Sequence, residues 1–222
     1  MGPTTGQGGQ GYRARGSLLL ADISGYTGFL QGVADAHRDL IIDADEPPAA
    51  YSLVSSLLDT IVTTISPSFR LAKFEGDAVF AVPADGAAVI RGADVVACLR
   101  GCHAAFTAAL AAANTQWTCT CNSCARIHEL DLKFVLHHGD YVVQRVAGQE
   151  ELLGPDVNTV HRLLKNHVVE LIGARPYALL TDRAIRELEV PADGMVPATE
   201  TYDHMPPVEV HVLPLGQGVP LA

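Results

Sequence analysis

Leu18-Leu19-Leu20-Ala21-Asp22-Ile23-Ser24-Gly25-Tyr26-Thr27 joins four apolar residues to an Asp and then a Gly. A short continuous apolar run that stops at a carboxylate is the pattern of a central strand buried on both faces, with a polar residue at its end. Tyr26 and Thr27 then begin a short helix through Leu30 and Val33. Further on, Phe69, Leu71 and Phe74 precede a Glu75-Gly76-Asp77 turn, and Val79-Phe80-Ala81-Val82 follows it, which reads as a hairpin with an acidic tip. Asp22 and Asp77 can therefore meet at one edge of the same sheet. Two such carboxylates suit a hard cation, because Mg²⁺ takes one or two carboxylates, retained water and phosphate oxygens.

The rest of the chain alternates helix and strand patterns. Leu53, Leu57, Leu58, Ile61 and Ile65 recur at helical spacing, and residues 87–113 read as a long Ala-rich helix. Leu130, Leu132, Phe134 and Leu136 alternate as a strand, His138-Gly139-Asp140 reads as a turn, and Tyr141-Val142-Val143 as the return strand. After Gly154-Pro155-Asp156, one helix is expected to carry Val157, Val160, Leu164, Val168 and Leu171 and to close near Gly173. A strand at 177–180, a helix at 182–188 and a strand with Val208, Val210 and Val212 complete an α+β sandwich: a mainly antiparallel sheet with helices packed on one face.

The chain has 222 residues, 48% hydrophobic and 18% charged, which fits one domain. We expect a Gly-rich tail at 1–16, a domain at 17–215 with an acidic loop at 35–48 and a Cys-rich loop at 115–128, and a second tail at 216–222. A formal charge of −10 and a pI near 5.2 argue against nucleic-acid or anionic-membrane partners. No segment reads as the roughly 18 uncharged apolar residues of a membrane span, and no signal peptide is evident, so a cytoplasmic protein is expected.

Read together, four motifs in order resemble the catalytic domain of class III nucleotidyl (adenylate/guanylate) cyclases. Leu19–Thr27 looks like their first metal motif, Lys73-Phe74-Glu75-Gly76-Asp77 their Lys-x-x-Gly-Asp hairpin, and Phe134-Val135-Leu136-His137-His138-Gly139 their Ile-His-x-Gly strand turn. The fourth, Glu151 to Arg162, is similar to the segment ending Asn-x-x-x-Arg. The resemblance implies a ferredoxin-like sandwich and a homodimer. It also implies two Mg²⁺ or Mn²⁺ ions on Asp22, Asp77 and the Ile23 carbonyl, a ribose contact from Asn158, and Arg162 stabilising charge on the reacting phosphate. Lys73 and Glu151 would read the base. A lysine that only donates beside a carboxylate that only accepts suits adenine, and equally the acceptor and amino group of cytosine, but not guanine. ATP is the favoured nucleoside triphosphate and CTP the alternative. Cyclic AMP formation is the expected reaction, with a catalytically silent nucleotide-binding or sensor dimer as the rival.

The family's phosphate lysine near the last hairpin has no counterpart in Tyr202-Asp203-His204-Met205-Pro206-Pro207, and Arg145 is a stand-in out of register. Cys98, Cys102, Cys119, Cys121 and Cys124 form a candidate thiolate zinc site, with reduced thiols or a redox-sensitive loop as alternatives. This Cys cluster and the phrase His161-Arg162-Leu163-Leu164-Lys165-Asn166 are similar to a bacterial branch of cyclase-like domains. His137, His138 and Asp140 read as structural rather than as a metal-hydrolase site.

Overall fold

In the computed structural model, which describes residues 11–38, 49–119, 121–173 and 176–216, the Leu18–Ala21 run is fully buried in strand β1, Tyr12–Ser24. Leu19, Ala21 and Ile23 enter one core and Leu18 and Leu20 the other. That two-sided burial is why the run is continuously apolar. The strand starts at Tyr12, so residues 12–16, expected in the tail, pair instead with β4, from Tyr12 opposite Val143 to Gly16 opposite Gly139. Of the acidic loop expected at 35–48, residues 35 and 36 are helical instead and residues 39–48 lie outside the described residues, as do residues 1–10 and 217–222 of the expected tails.

The chain continues through α1 (Tyr26–Ala36), α2 (Ala49–Ile65), β2 (Phe69–Glu75), β3 (Ala78–Pro83), α3 (Ala93–Gln116), a 3-10 turn (Cys124–Glu129) and β4 (Asp131–Val146). It then runs through β5 (Gln149–Leu153), α4 (Pro155–Arg162), a 3-10 turn (Leu163–Lys165), α5 (Val168–Ile172), β6 (Tyr177–Thr181), α6 (Asp182–Glu187), β7 (Val196–Glu200) and β8 (Val208–Pro214). The sheet order is β2-β3-β1-β4-β6-β8-β7, with β5 paired to β4. It is antiparallel except where β4 and β6 run parallel. This is the expected α+β sandwich with a mainly antiparallel sheet, except that helices pack on both faces rather than on one, because the central strands are apolar on both sides. Helices α1, α2, α3 and α6 contribute to the larger core, while α4 and α5 cover the other face through Val157, Val160, Leu163 and Val168.

Several expectations need correction. His138-Gly139-Asp140 is not a turn: β4 runs straight through it, and the chain reverses at Ala147-Gly148, both at positive φ. Gly139 is needed for proximity instead, since a Cβ there would collide with the Asp156 carboxylate. The single helix expected after Pro155 breaks at Asn166. That side chain donates to the Leu163 carbonyl at 2.7 Å and accepts from the Val168 amide at 3.1 Å, ending one helical segment and starting the next. Leu171 is exposed as a result. Strand β7 was not expected, because Val196-Pro197-Ala198-Thr199-Glu200 alternates only weakly.

Helix α3 is also long and apolar enough, by length and composition, to cross a membrane, with a mean hydropathy of 1.5 over 18 residues. Arg100 interrupts it, so it is not the run of uncharged apolar residues whose absence was expected. Val95, Leu99, Cys102, Phe106 and Leu110 form a stripe buried in the larger core, against α2 and the sheet.

Candidate active site

The end of β1 and the β2–β3 turn meet at one sheet edge. The Ile23 amide donates to the Asp77 carbonyl at 3.3 Å, and Asp22 lies opposite Ala78 in the ladder. Gly76, at φ 65°, makes the tight turn that leaves Asp77 at the edge. Asp22, Ile23 and Asp77 line an open cavity of about 520 Å³ together with Gly25, Tyr26 and Thr27. No side chain caps the first turn of α1, so its backbone amides form a cavity wall suited to phosphate.

Burial and the neighbouring Asp22 carboxylate push the Asp77 carboxyl above its ordinary pKa, with Lys133 pulling the other way. Two crowded oxygen-donor carboxylates beside an exposed backbone turn fit a hard divalent cation. Lys133 was not anticipated. It sits opposite Asp22 on β4, its ammonium 2.9 Å from the carboxylate and 3.3 Å from the Leu164 carbonyl. The signal was a lone cation inside the apolar run Leu132–Leu136.

A second cavity, of about 590 Å³, is lined by Lys73, Phe74, Glu150 and Glu151. Lys73 Nζ lies 3.1 Å from Glu151 and 3.2 Å from Glu75, so the two residues singled out for base reading touch. Burial works against the lysine charge, but Glu151 and Glu75 outweigh it and hold its pKa above the usual value. His161 extends this chain, with Nδ1 3.0 Å from Glu75 and its ring edge-on to Phe80 at 5.0 Å. Burial pushes the His161 pKa down despite Glu75.

Asn158 and Arg162 line a third cavity, of about 570 Å³, with His161, Lys165, Asp203 and His204. Lys165, one helical turn beyond Arg162, adds a second permanent cation to this wall. In one copy of the chain, then, the acidic pair, the base-reading pair and the Asn158–Arg162 wall line three different cavities.

The family described as "Protein of unknown function (DUF2652)" matches residues 54–171, more than half of the chain. The chain belongs to this family. The match includes Lys73, Asp77, Lys133, Glu151, Asn158 and Arg162, while Asp22 precedes it. A relative from Mycobacterium tuberculosis (strain ATCC 25618 / H37Rv), "Uncharacterized protein Rv2561/Rv2562", is 32% identical over 143 residues, 62% of this chain and 65% of the relative. The chain thus matches under two thirds of that relative's length. Among solved structures, the adenylyl cyclase CyaB from P. aeruginosa aligns with a TM-score of 0.64 at 14% identity, covering 92% of this chain and 95% of that one. The guanylyl cyclase Cya2 aligns with a TM-score of 0.62 at 15% identity, covering 93% and 95%. The fold is that of the class III cyclase domain.

Elsewhere in this DUF2652 member, His137 is buried in a network that fixes the start of α4. Its Nδ1 is 2.9 Å from the Thr181 hydroxyl and its Nε2 3.3 Å from Asp156. Asp156 also accepts from the Asp140 amide and from Arg183. Burial pushes the His137 pKa down, against the pull of Asp156. Of the five cysteines, Cys119, Cys121 and Cys124 converge on His37, and the expected set is corrected here: Cys98 and Cys102 lie on α3 outside that group. Cys102 is buried against the Ile61 carbonyl, and burial pushes its thiol pKa up to about 12. The spacing that places Cys98 and Cys102 on one helix face turns Cys102 into the core rather than toward the loop.

Proposed function

We propose that this chain is a nucleotidyl cyclase that converts ATP to 3′,5′-cyclic AMP and pyrophosphate at a homodimer interface. The observation that carries the reading is the division of labour over three cavities of one chain. A two-fold dimer that set the acidic cavity of one copy against the other two cavities of its partner would bring them together twice. The fold shared with adenylyl and guanylyl cyclases supports this arrangement.

Asp22, Asp77 and the Ile23 carbonyl would hold two Mg²⁺ or Mn²⁺ ions, which when bound neutralise the triphosphate and make the ribose 3′ oxygen a better nucleophile. The first-turn amides of α1 would cradle phosphate oxygens from the same side. From the partner copy, Asn158 would orient the ribose, while Arg162 and Lys165 would stabilise charge as the 3′ oxygen bonds to the α-phosphorus and pyrophosphate leaves. Lys73 would donate to a ring nitrogen and Glu151 accept from an amino group, which selects ATP, or CTP, over GTP. A cytoplasmic location would supply the nucleoside triphosphate.

One observation favours a second reading. The Lys133 ammonium already neutralises Asp22, as it would in a silent dimer that binds nucleotide without turning it over. Incubation with ATP, GTP, CTP and UTP, each with Mn²⁺ and separately with EDTA, followed by mass spectrometry, tests both. A cyclic nucleotide formed only with the cation supports the cyclase and names its base. Nucleotide binding without product from a folded dimer supports the silent form.

A further inference from the structure

The His37 Nε2 atom lies 3.4 Å from Cys119 Sγ, 3.3 Å from Cys121 Sγ and 3.6 Å from Cys124 Sγ. All four candidate ligand atoms fall within 4.8 Å of one another. An imidazole nitrogen has a single proton or a single in-plane lone pair, so it can hydrogen-bond well to one sulfur but not to three. Tetrahedral zinc, with Zn–S of about 2.3 Å and Zn–N of about 2.0–2.1 Å, has S···N edges of roughly 3.5 Å. The three observed separations match those edges. We propose that His37, Cys119, Cys121 and Cys124 form a closed structural zinc site that clips the end of α1 to the loop preceding β4.

Three further observations point the same way. The Cys124 amide donates to Cys121 Sγ at 3.3 Å, the kind of backbone N–H···S contact that orients and supports a thiolate ligand. Helix α1 is weakly anchored by packing, burying only Phe29 and Val33 of its eleven residues. Beside it lies a cavity of about 370 Å³, lined by Gly28, Phe29 and Gly32 from α1, by Gly25 just before it, and by Arg126 and Glu129 from the facing turn. Yet at Gly32 the two segments approach so closely that a Cβ would collide with the Ser123 hydroxyl. A helix held near a loop across a partly empty interface needs an anchor other than apolar burial. Four protein ligands leave no open position, which makes the site structural rather than catalytic. Zinc would take the three cysteines as thiolates and use the neutral imidazole lone pair of His37.

The clip acts on the helix whose other end, at Tyr26 and Thr27, lines the acidic cavity. Zinc would therefore hold that cavity wall in place, whatever reaction occurs there.

The full-length chain, purified without chelator, should contain about one zinc per chain by mass spectrometry of the metal. His37→Ala, Cys121→Ser and Cys124→Ser should lose it, and Cys98→Ser should keep it. Because those variants can unfold, the wild-type chain supplies an independent readout. A mercurial that caps thiols should release the zinc, and chelation should speed hydrogen exchange in α1 while leaving β1 and β4 protected. Cobalt(II) in place of zinc should show thiolate charge-transfer absorption. Zinc-free protein that takes up no zinc under reducing conditions, bound iron in its place, or zinc retained by both Cys121→Ser and Cys124→Ser would overturn the proposal.

Discussion

Lys133 stands directly across the β1–β4 ladder from Asp22, its ammonium 2.9 Å from the carboxylate, so the acidic cavity carries a built-in countercharge. Both side chains are largely buried, at 21% and 16% exposed, which puts the pair beyond the weak, screened regime of surface ion pairs.

Replacing the lysine, as in Lys133→Met, should therefore have two opposite effects. Without divalent cations the chain should lose about 2 kcal/mol of stability, roughly 4–8 °C in melting temperature, because Asp22 and Asp77 repel unopposed. With Mn²⁺ the variant should gain more stability than the wild type does, since the cation no longer competes with an ammonium. Calorimetric titration with Mn²⁺ checks this directly, and equal affinity in the two proteins would show that Lys133 does not occupy the cation's place.

Lys165 shares a cavity with Asn158 and Arg162. If that wall receives the triphosphate, Lys165→Ala should raise KM for the nucleotide by roughly tenfold or more, with a smaller change in kcat. Lys165→Arg should restore most of it. Arg145→Ala, at the β4–β5 hairpin, should leave KM unchanged in the same steady-state assay.

How much of this was legible in the sequence differs from residue to residue. Asp22 and Asp77 were readable because each breaks an apolar pattern where a strand ends or turns. The Lys73–Glu151 contact came through the family resemblance, since no periodicity links residues 78 positions apart. Lys133 was hidden because a single lysine in a strand ordinarily marks a solvent edge. His37 was invisible as a partner of the cysteines, being 82 residues from Cys119, a pairing that only the tertiary fold creates. Gly139 was misread because glycine signals a turn locally, whereas here it clears space for Asp156.

That last reading can be tested by stability. Gly139→Ala should cost about 2 kcal/mol or more, because the new methyl group displaces the Asp156 carboxylate from the Asp140 amide and Arg183. In an Asp156→Gly background, which also removes the Asp156 Cβ, the same substitution should cost less. A double-mutant cycle by urea denaturation measures the coupling.

The buried imidazoles set a pH dependence. Burial depresses the pKa of His137 below its ordinary value of 6.5, although Asp156 on α4 opposes the shift, while Arg183 on α6 adds to it. The unfolded chain therefore binds the proton first as pH falls. The contribution of His137 is fully present above about pH 6.5 and is lost as pH drops from there toward the folded-state value. Melting temperature should accordingly fall between pH 7 and pH 5, and His137→Gln should flatten that slope. His161, depressed by burial and by Lys73 against the pull of Glu75, should contribute with the same sign.

If the catalytic site is completed by a second copy of the chain, two inactive variants should complement each other when mixed. Asp22→Ala and Arg162→Ala should each abolish cyclic nucleotide formation while remaining dimeric. Mixed in equal amounts and allowed to exchange subunits, they should recover roughly a quarter of wild-type activity, since half the dimers then hold one intact site of two. A mixture that exchanges subunits yet stays inactive, or either variant turning over nucleotide by itself at the wild-type rate, would contradict the claim.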